Sequence, residues 1–245
     1  MITDFKTIIW KEWRESILQY GSVKKWILNM SLIVVTIGIF LPLQFGTMLI
    51  ESIVILLWVW MPMFLILNII SDSIAGERER HTLETLLASR LSDGAILLGK
   101  MIIPIFQAWV MVQISALLAL ITINLTANQG RFIMYPLPVI LGIIIIPVVI
   151  GLLLAEMGVL ASVHATTVRQ AYQRMIIPFL ALFIVPSILM SILPRQILSQ
   201  LYSREFAENQ MGGVLLVLFI ILIILDGLLM AWVFRRFHRS RLITD

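Results

Sequence analysis

The stretch PVILGIIIIPVVIGLLLAEMGVLASV, residues 138–163, decides what kind of protein this is. A helix packed on the outside of a soluble domain carries a polar face, and this stretch has none. Its one ionisable residue is Glu156. It is longer than the roughly 20 apolar residues a helix needs to cross the hydrocarbon core of a bilayer. Five further runs approach or exceed that length: Trp26–Phe45, Met48–Ile70, Met101–Leu125, Ile176–Leu193 and Gly213–Phe234. Pro62, Pro104, Pro147, Pro178 and Pro186 fall inside the runs. Neighbouring helices can re-satisfy the carbonyls that proline frees, so kinks are expected there rather than breaks.

Composition agrees. Of 245 residues, 60% are hydrophobic and 13% charged. A soluble domain has roughly 25% charged and 45–50% apolar residues. The excess of apolar residues asks for an apolar solvent. There is no cysteine, so neither disulfides nor thiolate metal sites are possible. The net charge of +4 is not a nucleic-acid signal, because the basic residues lie between the apolar runs. No cleavable signal peptide is expected, since no small-residue cleavage pattern follows the first long run.

The basic residues orient the runs. Lys6, Lys11, Arg14, Lys24 and Lys25 precede the first. Arg78, Arg80, Arg90 and Lys100 separate the second from the third, Arg169 and Arg174 the fourth from the fifth. Arg235, Arg236, Arg239 and Arg241 follow the last. The alternate connections hold Arg131, Arg195 and Arg204. The positive-inside rule places both termini in the cytoplasm, as an even number of spans requires. The expected fold is therefore all-α: a six-helix transmembrane domain over residues 26–245, preceded by an N-terminal helix over 1–25.

In that first helix Phe5, Ile8, Ile9, Trp13, Ile17 and Tyr20 share a face, while Lys6, Lys11, Glu12, Arg14 and Glu15 fall mostly elsewhere. This pattern predicts an amphipathic helix on the cytoplasmic membrane surface, either a simple anchor or a gate that also touches a partner. At residues 194–212, Ile197, Leu198, Leu201 and Phe206 alternate with polar residues, which predicts a short interfacial or re-entrant segment on the outer side.

The long cytoplasmic loop, residues 71–100, reads Gly76-Glu77-Arg78-Glu79-Arg80-His81-Thr82-Leu83-Glu84-Thr85-Leu86-Leu87 at its centre. Thr82 is placed to cap a helix, with Glu84 near its positive end. Leu83, Leu86, Leu87 and Leu91 form one apolar stripe. Such a helix must dock its stripe, on the bundle's own end or in a partner's groove. Ser92 or Asp93 can cap the next helix, which runs through Lys100 into the third span.

This run resembles the pattern Glu-Arg-Glu-Arg-Gly-Thr-Leu-Glu-x-Leu-Leu of ABC-2 type transporter permeases, where it lies between the second and third of six spans. His81 stands where that family usually has glycine, and Ser89-Arg90 where a proline-containing turn is common. The resemblance implies a permease dimer, formed with a second copy or a similar chain, each subunit docked on a nucleotide-binding ATPase. Residues Glu77 to Leu87, with Glu77, Arg78, Glu79, Arg80, Thr82, Leu83, Glu84, Leu86 and Leu87 as the contacts, would then form the coupling helix. It also implies export across the cell (inner, cytoplasmic) membrane by alternating access. ATP and magnesium would be bound by the partner. No Gly-x-x-x-x-Gly-Lys-Ser/Thr phosphate loop occurs here.

An ionisable residue within a span is costly unless shielded or paired. Glu156 and Asp226, in the cytoplasmic halves of spans four and six, are candidates for a substrate path. A bond to a neighbouring helix, or a salt bridge to Arg169 or Arg174, is the structural alternative. Glu51, at the outer end of span two, can reach headgroups. Asn68, Gln113 and Asn124 are expected to bond between helices, and Gly142, Gly151 and Gly158 to allow a close approach to span four. His81, His164 and His238 have no metal-ligand spacing, so no metal site is expected. Two other readings stay open: an ion- or proton-coupled carrier or channel built on Glu156 and Asp226, and a membrane anchor for a cytoplasmic partner that transports nothing.

Overall fold

A computed structural model describes residues 2–47, 55–89, 91–126, 132–163, 165–192 and 211–236. These form α1 (Ile2–Leu18), α2 (Val23–Val35), a π-helical turn (Thr36–Phe40), α3 (Leu41–Phe45), α4 (Ile55–Glu79), α5 (Leu83–Ala88), α6 (Asp93–Thr126), α7 (Leu137–Val163), α8 (Val168–Ile192) and α9 (Met211–Arg236). No strand occurs among the described residues. Among the described residues, three helical stretches are long and apolar enough to cross a membrane: Val23–Phe45, Asp93–Thr126 and Leu137–Val163. Glu51, residues 194–210 of the expected outer segment, His164 and His238 lie outside the described residues.

The helices overrun the apolar runs that define them. α4 continues from the second run to Glu79, and α6 starts at Asp93 rather than Met101. The expected loop of residues 71–100 shrinks to a connection around α5. Helical hydrogen bonds do not end where hydropathy does, and nothing between Ser71 and Glu79 forces termination except the turn that follows. Ser92 sets the start of α6 by accepting from the Ala95 amide (3.3 Å). Pro104 and Pro147 sit within unbroken helices.

At the centre, α4 packs along α7 and α6, with α8 against both α4 and α7 and α9 against α7. Ile66, Ile70, Ile74, Ile96, Leu97, Met101, Ala155 and Val159 fill the main core. The close approach expected for α7 is made with α4. A Cβ on Gly151 would sit 3.2 Å from Ile66, and one on Gly158 would collide with Ile70 and lie 2.7 Å from Met175. A second core joins the first span to α6, where Ile37 meets Val112, Ala116 and Ala119. The π-turn lies at this contact. Gly38 abuts Leu118, and its carbonyl accepts from Thr122 Oγ1 (3.0 Å).

Outward-facing positions are apolar too. Leu28 and Leu32 on α2, Leu117 and Ile121 on α6, Leu141 and Ile145 on α7 and Ile221 and Ile224 on α9 are all exposed. A surface of that kind is unstable in water and suited to lipid. Some polar side chains within the bundle find backbone partners. Gln113 reaches the Ile143 carbonyl (2.9 Å), and Asn124 ties the chain at Ile133 through both its amide nitrogen (2.9 Å) and its oxygen (2.8 Å). Asn68 and Asn124 depart from the interhelical role expected of them: Asn68 donates to Phe64 O in its own helix (2.8 Å), and Asn124 donates to Leu120 O in its own helix (2.8 Å) besides its bonds to the non-helical segment at Ile133.

Replacing Gly158 with alanine should lower stability by about 1–3 kcal/mol through overpacking. Gly227→Ala, with nothing within 4 Å of the added carbon, should be neutral or slightly stabilising. Thermal unfolding of the two variants in detergent, followed by tryptophan fluorescence, checks the contrast.

Candidate functional site

At one end of the bundle the ends of α4 and α6 meet α1. Here Lys100, only 2% exposed, projects from the first turns of α6. Its ammonium donates to Glu77 (2.8 Å), Glu12 (2.9 Å) and the Ser73 carbonyl (2.6 Å). Lys11 reaches the same Glu77 oxygen at 2.7 Å and lies 3.5 Å from Glu15. The carboxylates of Glu12, Glu15 and Glu77 thus come within 4.8 Å of one another around two ammonium groups. Beside them Ser16 accepts from Gln107 (2.7 Å), and Gln19 bonds to Asp72, which also holds Arg80 (3.1 Å).

This arrangement corrects the expectation for α1. The helix lies against α6 and α2 rather than on the membrane surface alone. Ile8 is buried where Gly99 of α6 leaves room for it. Of the charged residues expected mostly off the apolar face, Glu12 pairs with Lys100, and Lys11 with Glu15 and Glu77. A buried ammonium is tolerable only if anions surround it, and α1 supplies one of them. Burial pushes the Glu77 carboxyl upward, but Lys100 and Lys11 outweigh that and hold it below its ordinary value of 4.5. Glu15, with Lys11 opposed by neighbouring acids, is raised by burial.

The charged run before α5 divides by role. Glu77 and Arg78 face inward, Arg78 donating to the Ala165 carbonyl (2.8 Å). Glu79 accepts from the Val168 amide at the start of α8 (3.0 Å). Arg80 bridges back to Asp72. The backbone then reverses at His81, whose φ of 56° lies in the left-handed region. Glycine occupies such positions without strain, so the family's usual residue suits the turn better than the histidine here. Thr82 holds the N-cap position of α5 but makes no side-chain cap bond. Its hydroxyl instead donates to the Glu77 carbonyl (3.3 Å).

The leucine stripe docks on the bundle itself. Leu83 is buried in the main core, with Leu86 and Leu91 packed against it. That leaves Glu84, Thr85 and Ala88 exposed on the opposite side of α5. Between α5 and α1 opens a groove of about 630 Å³, lined by Lys11, Glu15, Leu18, Gln19, Asp72, Arg80, Thr85 and Leu86 among others. The spacing Gly94, Gly99, Lys100 is that of a phosphate loop, but Met101 stands where Ser or Thr belongs. The segment is also helical, with its lysine committed to carboxylates. It does not cradle phosphate.

On α7 and α9, Glu156 is fully buried and Asp226 is 5% exposed. The structural alternative of a salt bridge to Arg169 or Arg174 is not what is found for Glu156: neither of its oxygens has a hydrogen-bond partner.

The sequence pattern of the ABC-2 family transporter proteins matches residues 41–202. The match takes in α5 and both flanking helices, and more than half of the chain. No curated protein matches.

Replacing Lys100 with methionine should cost about 3–5 kcal/mol, because buried carboxylates lose their counter-ion. The double variant Lys100→Met/Glu77→Leu should recover part of the loss. Unfolding midpoints in detergent, compared across wild type, single and double variants, test this.

Proposed function

The chain belongs to the ABC-2 transporter family, and on that premise we propose that it is the permease subunit of an ATP-driven exporter, working beside a separate nucleotide-binding ATPase. In this reading α2 with α3, α4, α6, α7, α8 and α9 are the six spans. The α1 and α5 end faces the cytoplasm, as the basic residues favour, and the membrane is the cell (inner) membrane. A second permease copy or a similar chain completes the assembly. ATP and magnesium bind in the partner, whose closure moves α5 and, through it, the bundle.

The observation that carries the reading is the way α5 is held. Its apolar side is fixed in the bundle core through Leu83, a burial worth about 1.5–3 kcal/mol. Its polar side, with Glu84, Thr85 and Ala88, stands beside an open groove. A helix fixed on one side and presented on the other can pass a push from a partner to α4 and α6. Glu79, Arg80 and Thr82 lie at its entrance, and Glu77, Arg78, Leu83 and Leu86 connect it to the bundle. The substrate path would lie among the spans, where Glu156 and Asp226 are the acidic groups of α7 and α9.

The presented side can be altered without touching the buried one. Purified in mild detergent, the natural chain should bring down an ATPase subunit. Glu84→Lys combined with Thr85→Arg should lose it while the unfolding midpoint stays unchanged. A folded permease with no nucleotide-binding partner, or one whose partner survives both substitutions, would remove the basis for the coupling role.

A further inference from the structure

α9 lies against α7 through a short stripe. Asp226, Met230 and Val233 recur at helical spacing, and Met230 and Val233 join the core that contains Ala155 and Val159 of α7. Asp226 is thus the polar member of an apolar face, turned toward the helix that carries Glu156. Glu156 and Asp226 are both buried, on helices that pack against each other. Both oxygens of Glu156 and Oδ1 of Asp226 are buried without a hydrogen-bond partner.

Among the described residues, no basic side chain is hydrogen-bonded to Glu156. On α4, Arg78 is bonded to Ala165 O, and Asp72, Glu77 and Glu79 are bonded to Arg80, Lys100 and the Val168 amide. On α6, Lys100 is held by Glu12 and Glu77, and Asp93 lies at the start of the helix. α8 carries Arg169 and Arg174 near its first turns, and α9 ends in Arg235 and Arg236. Two neighbouring carboxylates in a dry interior cannot both keep their charge: desolvation penalises each, and like charges penalise the pair.

We propose that Glu156 and Asp226 form a proton-binding pair inside the bundle, carrying at least one proton for as long as α9 stays packed on α7. The ligand is the proton itself. Water reaching the pair, as when α9 draws away from α7, would let the carboxyls ionise, so a change of access across these helices would release a proton. The inference needs the membrane-embedded bundle but not the ATPase partner, so it can fail while the coupling reading stands.

The test is infrared spectroscopy of the purified chain in lipid nanodiscs at neutral pH, wild type minus Glu156→Gln/Asp226→Asn. The expected result is a protonated carboxylic-acid carbonyl band in the wild type, lost in the double variant and unaffected when sodium chloride replaces choline chloride. A difference spectrum without that band overturns the proposal. So does a band that sodium abolishes, which would make the ligand a metal cation. The same variants carry a second readout. Neutral isosteres mimic the protonated pair, so their unfolding midpoints should equal or exceed that of the wild type. A double variant that fails to fold would show that charged carboxylates hold the helices, and would also overturn it.

Discussion

The ammonium of Lys100 is the group around which one end of this protein is arranged. A lysine cannot be buried with its charge unless anions accompany it, and no single helix here supplies enough of them. Glu77 comes from α4 and Glu12 from α1, with the Ser73 carbonyl completing the set. The demand for counter-ions therefore brings three segments together that hydrophobic burial alone would leave free to slide. Lys11 then shares Glu77, which draws α1 further in. Ile8 packs on Gly99, one residue before the lysine, so apolar and ionic contacts fix the same register.

This junction gives the family's charged loop a mechanical meaning. Glu77, Arg78 and Glu79 are built into the bundle, on Lys100, Ala165 and Val168 respectively. Arg80 and His81 make the turn, and α5 follows with Leu83 and Leu86 inward. The exposed residues of the loop are carried on a platform braced against α4, α6, α7 and α8. A membrane subunit that takes its work from another chain needs such a platform, because force applied to a loose loop would be lost in bending it.

Much of this was legible in the residues, and the remainder was hidden for identifiable reasons. The apolar runs declared a helical membrane protein, and the order Glu-Arg-Glu-Arg, turn, leucine stripe declared the family. Gly151 and Gly158 announced a close helix contact, though not that α4 would fill it. The seat of α1 could not be read. Periodicity sorts residues by apolarity, and Lys11, Glu12 and Glu15 look like a solvated face until Lys100, far away in sequence, is known to be buried beneath them. The helix ends were missed for a related reason, since hydropathy marks where lipid suits the chain and not where helical hydrogen bonding stops. Glu156 and Asp226 stood out as costly residues in their spans. That Glu156 would lack a basic partner was beyond sequence, because Arg169 and Arg174 lie close by along the chain.

The account rests on Lys100 holding α1 to the rest of the junction. The chain has no cysteine, so spin labels can be placed at Lys6→Cys on α1 and Ala88→Cys on α5 without background. Pulsed electron paramagnetic resonance then reads the distance between the two helices. A narrow distribution in the otherwise natural chain, broadening when Lys100 is replaced by methionine, is the predicted result. Equal widths in both would mean that apolar contacts alone seat α1, and would contradict the central claim.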